Sequence, residues 1–285
     1  MASPVARLRA WASPIIKPRL RRVRYRIADI ADRRGGGGEE VDGVPLPPKS
    51  LRLLNGHREF RQMGKSIAGS IVAETGMAAG DRVLDAGCGS GRVAVPLIEV
   101  LGPDGTYDGF DVVPEAIAWC DRNITSRHPN FRFQLADIYS DHYHRKGRSA
   151  AEDYVFPYAD ASFDVVFLTS IFTHLGAAPT ENYLRECERV LAPGGRLYAS
   201  FFLYDDYAEE AASRGESEYA FVPAEDGSLT ANPRDPGAAA AHRESTVRAI
   251  LGDAGLEIET EPLRGNWNGR ETNRRQDIVL AVKPA

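Results

Sequence analysis

The 285-residue sequence predicts an α/β fold: a doubly wound, seven-stranded sheet, mostly parallel with its last strand antiparallel, behind an N-terminal helical extension. Three observations predict it. Short apolar runs alternate with amphipathic stretches from Asp81 onward, the pattern of a parallel sheet covered on both faces. A glycine-rich turn follows the first of these runs. The last two runs are joined by a segment too short to hold a crossover helix, so the final strand must run back against its neighbour.

Three segments follow in order: a basic arm and glycine linker at 1–43, a helical cap at 44–80 and the α/β domain at 81–285. Residues 1–34 hold ten Arg or Lys against two Asp, while the rest holds 25 basic against 38 acidic residues. The acidic body argues against nucleic acid as a partner. The arm is read as a solvated tail, as a weak contact with a membrane surface or acidic partner, or as an organellar transit segment. Gly35–Gly38 makes a flexible linker. In the cap, Ile67, Ile71 and Val72 share a helix face over 50–75, and Gly76 is a stop.

Strands are expected at 82–86, 106–112, 131–136, 164–169, 196–203, 256–262 and 277–282. Helices are expected at 91–101, 114–127, 179–191 and 243–254. Pro114 suits a first turn, Pro96 should kink its helix, and Ala192–Gly195 reads as a loop.

No apolar run approaches the roughly 18–20 residues that span a bilayer. The cysteines, Cys88, Cys120 and Cys187, lie 32 and 67 residues apart. That spacing gives no disulfide framework or zinc pair and fits a reducing, cytoplasmic setting, peripheral to a membrane where the arm binds one. His142 and His144 beside Asp141 form one HxH, too little for a metal site, and none is expected.

The strongest motif is Val83-Leu84-Asp85-Ala86-Gly87-Cys88-Gly89-Ser90-Gly91-Arg92. Glycines at 87, 89 and 91 permit a sharp turn and close ligand approach, and a helix start offers free N–H groups. A dinucleotide fingerprint would need its third glycine where Arg92 stands. The motif resembles the first signature of the class I S-adenosylmethionine-dependent methyltransferases, a Rossmann-like family, and further signatures follow over residues 80–285. They are Gly109-Phe110-Asp111-Val112-Val113, Leu135-Ala136-Asp137-Ile138, the run from Phe156 to Val166, and Arg189-Val190-Leu191-Ala192-Pro193-Gly194-Gly195.

The resemblance implies S-adenosyl-L-methionine as cofactor, leaving as S-adenosyl-L-homocysteine. It implies that Asp85, Gly87, Cys88, Gly89 and Gly91 line the cofactor turn. Asp111 with Val112 would take the ribose hydroxyls, Asp137 with Ile138 the adenine, and Thr169 would close the site at the fourth strand. The family's DNA-base enzymes resemble [DNS]PP[YFW] after that strand; here it reads Thr169-Ser170-Ile171-Phe172. The paired glutamates of protein-arginine methyltransferases are missing as well. The expected acceptor is a small molecule, lipid or glycan, methylated at oxygen or nitrogen. A nicotinamide-dependent oxidoreductase and a nonenzymatic cofactor-binding module are the competing readings.

Ligands of open α/β sheets bind beyond the carboxyl ends of the strands. The long segments 137–163, 170–178, 204–242 and 263–276 all leave that edge, so a lidded acceptor pocket is expected there. His174 is the candidate general base; His57, His142 and His144 are weaker ones. Trp267 and Arg270, read as the tip of the last hairpin, are the candidate acceptor contacts.

Overall fold

The structure, a computed structural model, describes residues 40–41, 43–54 and 59–285. The arm at 1–34, the glycine run and His57 lie outside the described residues. Strands β1 (Glu40–Val41) and β2 (Val44–Pro45) form a small antiparallel hairpin. Helices α1 (Lys49–Leu54) and α2 (Phe60–Thr75) follow. Gly76 ends α2 in the left-handed region at φ 68°, its N–H closing on the Val72 carbonyl.

The α/β domain then runs β3 (Arg82–Ala86), α3 (Ala94–Leu101), β4 (Thr106–Asp111), α4 (Pro114–Cys120), β5 (Phe131–Leu135), β6 (Phe163–Leu168), α5 (Ala177–Val190) and β7 (Leu191–Phe201). After it come β8 (Leu203–Tyr204), α6 (Asp206–Ser213), β9 (Val222–Pro223), β10 (Leu229–Thr230), β11 (Ala240–Arg243), α7 (Glu244–Ala254), β12 (Glu257–Ile258) and β13 (Asp277–Val282).

The main sheet has the order β12-β13-β7-β6-β3-β4-β5. Neighbours are parallel except at β13, which runs antiparallel to both β7 and β12. Alternation along each strand divides the core. Leu84, Val166, Leu197 and Phe201 pack with Leu184 of α5 and Leu251 of α7, while Val83, Val165 and Tyr198 pack with Ile71 of α2, Leu97 of α3 and Cys120 of α4. The sheet is thereby buried on both faces, as near-continuous apolar strands require.

Three expectations change. The sixth strand shrinks from 256–262 to Glu257–Ile258: the Glu259 N–H still bonds the Leu280 carbonyl, and the exposed Glu261 and the N–H-less Pro262 follow. Ala192–Gly195 is not a free loop. Gly194 N–H donates to the Lys283 carbonyl and Lys283 N–H to the Gly195 carbonyl, so the ladder continues through β7 although Gly194 sits at φ 76°. Pro96 falls in the first turn of α3, whose N–H groups have no intrahelical partner, so no kink is called for.

Between β7 and α7 the chain builds a four-stranded sheet of order β8-β11-β10-β9 with α6 beside it. Its own apolar centre joins Phe202, Phe221 and Leu229 to Trp267 of the last hairpin. This lid stands at the carboxyl edge of the main sheet. The other long segments meet it there: His142 bonds Asp235 at 2.8 Å, Ala177 N–H donates to Asp226 at 2.9 Å, and Arg275 pairs with Glu218 at 2.6 Å.

Candidate active site

The glycine turn lies at the carboxyl end of β3, with Gly87, Gly89 and Gly91 at φ 101°, 54° and 73°. A Cβ on Gly87 would collide with the Ile171 side chain, and one on Gly91 would stand 2.5 Å from Ile124 Cδ1. Asp111, ending β4, holds the turn: its Oδ2 accepts the Gly89 N–H at 2.8 Å and its Oδ1 the Val113 N–H at 2.9 Å. A carboxylate has about four lone-pair sites, so two further donors fit. Burial raises the Asp111 pKa, and the backbone N–H groups around it, that of Val113 first, oppose that rise. Cys88 and Cys120 both reach the Gly89 carbonyl from below, at 3.8 and 3.7 Å, and burial pushes both thiols up. They are neutral packing groups under the turn.

Asp85 is 1% exposed. Its Oδ2 accepts the Tyr107 hydroxyl at 2.5 Å, and its Oδ1 has no hydrogen-bond partner among the described residues. Burial pushes its pKa up to about 7, against the Tyr107 bond, with Asp111 adding to the rise and Arg92 opposing it. An orphaned buried oxygen one residue before the cradle, together with the two spare acceptor positions on Asp111, fits a ligand that brings donors and positive charge. The raised pKa has a measurable sign. The folded state holds this proton from about the ordinary carboxylate range up to about pH 7, so the stability it contributes is lost as pH rises through 7. Asp85→Asn does not titrate. Its urea midpoint relative to the parent protein should therefore move upward between pH 5.5 and pH 8.5; an offset equal at both pH values would mean Asp85 is ionised throughout.

Asp137 ends the segment after β5. It pairs with Arg148 at 2.5 Å and lies 3.5 Å from His144, and the Arg148 bond holds its pKa low. The Arg148 and Ser149 N–H groups bond its carbonyl, folding loop 139–149 back over Ile138, and its carboxylate is one half of an ion pair. His142 and His144 take different carboxylates, Asp235 and Asp137, and do not converge. Thr169 follows β6, and Val112 lies half-buried after Asp111.

His174 stands in the turn after β6. Its Nδ1 meets the Gly237 carbonyl at 2.8 Å. A carbonyl only accepts, so Nδ1 carries the proton and Nε2 keeps its lone pair. The ring edge is exposed, yet the chain around it desolvates the imidazole enough to lower its pKa, against the Gly237 bond.

The last hairpin packs Trp267 and Arg270 against the lid. Trp267 is 1% exposed, packs on Phe202 at 5.2 Å and donates Nε1–H to Asp277 at 2.7 Å. Arg270 pairs with Asp205 at 2.7 Å and lies over the Tyr207 ring at 4.1 Å. The hairpin folds inward onto the lid, so Trp267 is part of the lid's core. Arg270 spends one arm of its guanidinium on the Asp205 that caps α6. Trp267 is enclosed by that core, while the second guanidinium nitrogen of Arg270, Nη1, is buried with no hydrogen-bond partner among the described residues.

The sequence reasoning passed over Tyr107, Ser170 and Gln276. Tyr107 lies in a predicted strand, on the same face as Gly109 and Asp111, which is the signal that would have found it.

Residues 83–195 match a family model described as a methyltransferase domain. They span the cradle, Asp111, Asp137 and the turn with His174. Residues 83–195 thus carry a methyltransferase domain, and the motifs within them are similar to those of the class I S-adenosylmethionine-dependent methyltransferases. The family's cofactor is S-adenosylmethionine, and the cradle, Asp85 and Asp111 are the groups here that fit it. Similar methyltransferases include the arsenite methyltransferase of Aquipseudomonas alcaligenes, 32% identical over 134 residues, or 46% of this chain and 34% of that one. Another is the 27-O-demethylrifamycin SV methyltransferase of Amycolatopsis mediterranei, 33% identical, over 44% of this chain and 40% of that one. The chain thus spans well under half the length of these two relatives. A methyltransferase structure from Aquifex aeolicus shares the fold, with TM-score 0.52 at 18% identity, over 84% of this chain and 99% of that one.

Proposed function

We propose that this methyltransferase transfers the methyl group of S-adenosylmethionine to a hydroxyl or amine of a small molecule, a class that includes lipid and glycan acceptors. The observation that carries the reading is a histidine whose Nδ1 is committed to the Gly237 carbonyl, in the same turn after β6 whose Ile171 lies against Gly87 of the cradle. When bound, S-adenosylmethionine supplies a methyl group on a positively charged sulfur. Gly87, Gly89 and Gly91 let the chain close on it, Asp111 takes its ribose hydroxyls, and Asp137 stands by the adenine. Asp85 and Asp111 favour its positive charge. His174 takes the proton of the acceptor at Nε2, while Gly237 fixes the ring's tautomer. The lid, with loops 139–149 and 170–176, keeps water from the reacting groups.

The first test is thermal. S-adenosylhomocysteine should raise the melting temperature by mass action, and NAD should not. The reverse ranking would hand the site to an oxidoreductase. The second uses a panel of phenols, alcohols and amines with labelled cofactor. On the acceptor that turns over, His174→Gln should lower kcat by about a hundredfold. The acid limb of the parent's pH profile should lie below pH 6.5, because the imidazole's pKa is lowered and it must be neutral to act. A full-rate variant with the same acid limb would remove His174 from the chemistry. No described helix is long and apolar enough to cross a membrane. Contact of residues 1–34 with a membrane surface remains part of this proposal, read by salt-sensitive binding to anionic vesicles that deletion of the arm abolishes.

A further inference from the structure

Ser170 sits at φ 61°, in the left-handed region that a residue with a Cβ enters at a cost of about 1 kcal/mol or more. Among the described residues only Ala161 shares this, and it precedes β6, whereas Ser170 follows the strand's carboxyl end. Glycine would sit there without cost, yet the position holds a hydroxyl. Three contacts keep it there. Its N–H donates to Ser200 Oγ of β7 at 2.7 Å. Its Oγ–H donates to Gln276 Oε1, the residue before β13, at 3.0 Å. Gln276 Nε2 in turn reaches Thr173 Oγ1 at 3.5 Å. Next in the chain, Ile171 lies against Gly87 of the cradle, so the strained turn borders the cofactor cleft.

The protons can be counted. Ser170 has one hydroxyl proton, and Gln276 takes it, leaving only lone pairs on Oγ. His174, four residues on, gives its Nδ1 proton to Gly237 and likewise presents a lone pair. The turn after β6 therefore offers hydrogen-bond acceptors from Ser170 and His174.

We propose that Ser170 is an acceptor-binding residue whose oxygen receives a hydrogen bond from an O–H or N–H group beside the one to be methylated, and that Gln276 is the positioning residue that commits the serine proton. The substrate class is then a molecule with two adjacent proton-bearing groups, such as a diol or an amino alcohol. One meets Ser170 Oγ while the other gives its proton to His174 Nε2. This rests on the methyl-transfer reading above.

The test uses the full chain loaded with S-adenosylhomocysteine, with catechol and its dimethyl ether as probes followed by ligand-observed NMR. Catechol should bind at least fivefold more tightly than the ether. Ser170→Gly should reduce that preference to within twofold, keep S-adenosylhomocysteine affinity within twofold, and melt no lower than the parent protein because the backbone strain is relieved. Gln276→Leu frees the Ser170 proton for donation, so the ether should gain affinity; a merely structural glutamine would not produce that gain. No preference in the parent protein, or a preference that survives Ser170→Gly, overturns the proposal. Failure of S-adenosylhomocysteine to bind at all would instead sink the methyl-transfer reading.

Discussion

Asp111→Ala should weaken S-adenosylhomocysteine binding by about 3–6 kcal/mol, the loss of two hydrogen bonds to a charged group at about 1.5–3 kcal/mol each. The carboxylate sits at the end of β4 with one N–H on each oxygen, from Gly89 and Val113, and two acceptor positions to spare. Alanine removes the contacts to the ribose and also the bond that holds Gly89 in its left-handed conformation. Asp111→Asn separates these effects: its carbonyl can keep one N–H while its amide turns a donor toward the ligand's own donors. Calorimetry should therefore rank the parent protein above Asn, and Asn at or above Ala. Equal affinities for all three would place the ribose elsewhere.

Asp277→Ala should lower folding stability by about 3 kcal/mol or more, since three buried donors lose their acceptor at about 1–3 kcal/mol each. Asp277 is fully buried and receives three donors: Gly265 N–H at 2.9 Å, Leu203 N–H at 2.9 Å and Trp267 Nε1–H at 2.7 Å. Burial raises its pKa, and those three bonds work against the rise. Removing the carboxylate leaves three donors without an acceptor at the point where β13, the lid and the last hairpin meet. Chemical denaturation gives the magnitude, and hydrogen exchange gives the place: protection should fall at 203–204 and 263–267 and persist in β3. A denaturation midpoint within error of the parent protein would mean solvent has taken over all three bonds.

The main sheet was legible because its strands are buried on both faces, and a run such as Val83–Ala86 or Phe163–Leu168 announces itself locally. The cradle was legible for a related reason: three glycines at alternate positions have few structural uses besides a tight turn near a ligand. The lid sheet was not, since β8, β9 and β10 are two residues each and carry no period to read. The burial of Trp267 was hidden because its partners Phe202 and Phe221 are distant in sequence. The tautomer of His174 depends on a carbonyl 63 residues away, and no local pattern encodes that.

Only Phe202 separates β7 from β8, and no residue separates β11 from α7. At those two attachments β8 and β11 also pair with each other, through Leu203 with His242 and Tyr204 with Arg243. A swinging roof needs a few residues free to absorb large changes in φ and ψ, and both of its mountings here are regular, hydrogen-bonded backbone. Traffic through the site must therefore pass at the sides. The fastening there between loop 139–149 and the lid is the His142–Asp235 pair, 39% and 42% exposed, and a contact so open to water is worth about 0–1 kcal/mol. Turnover limited by product release should therefore respond to changes at His142 and Asp235 far more than to changes at the roof's mountings.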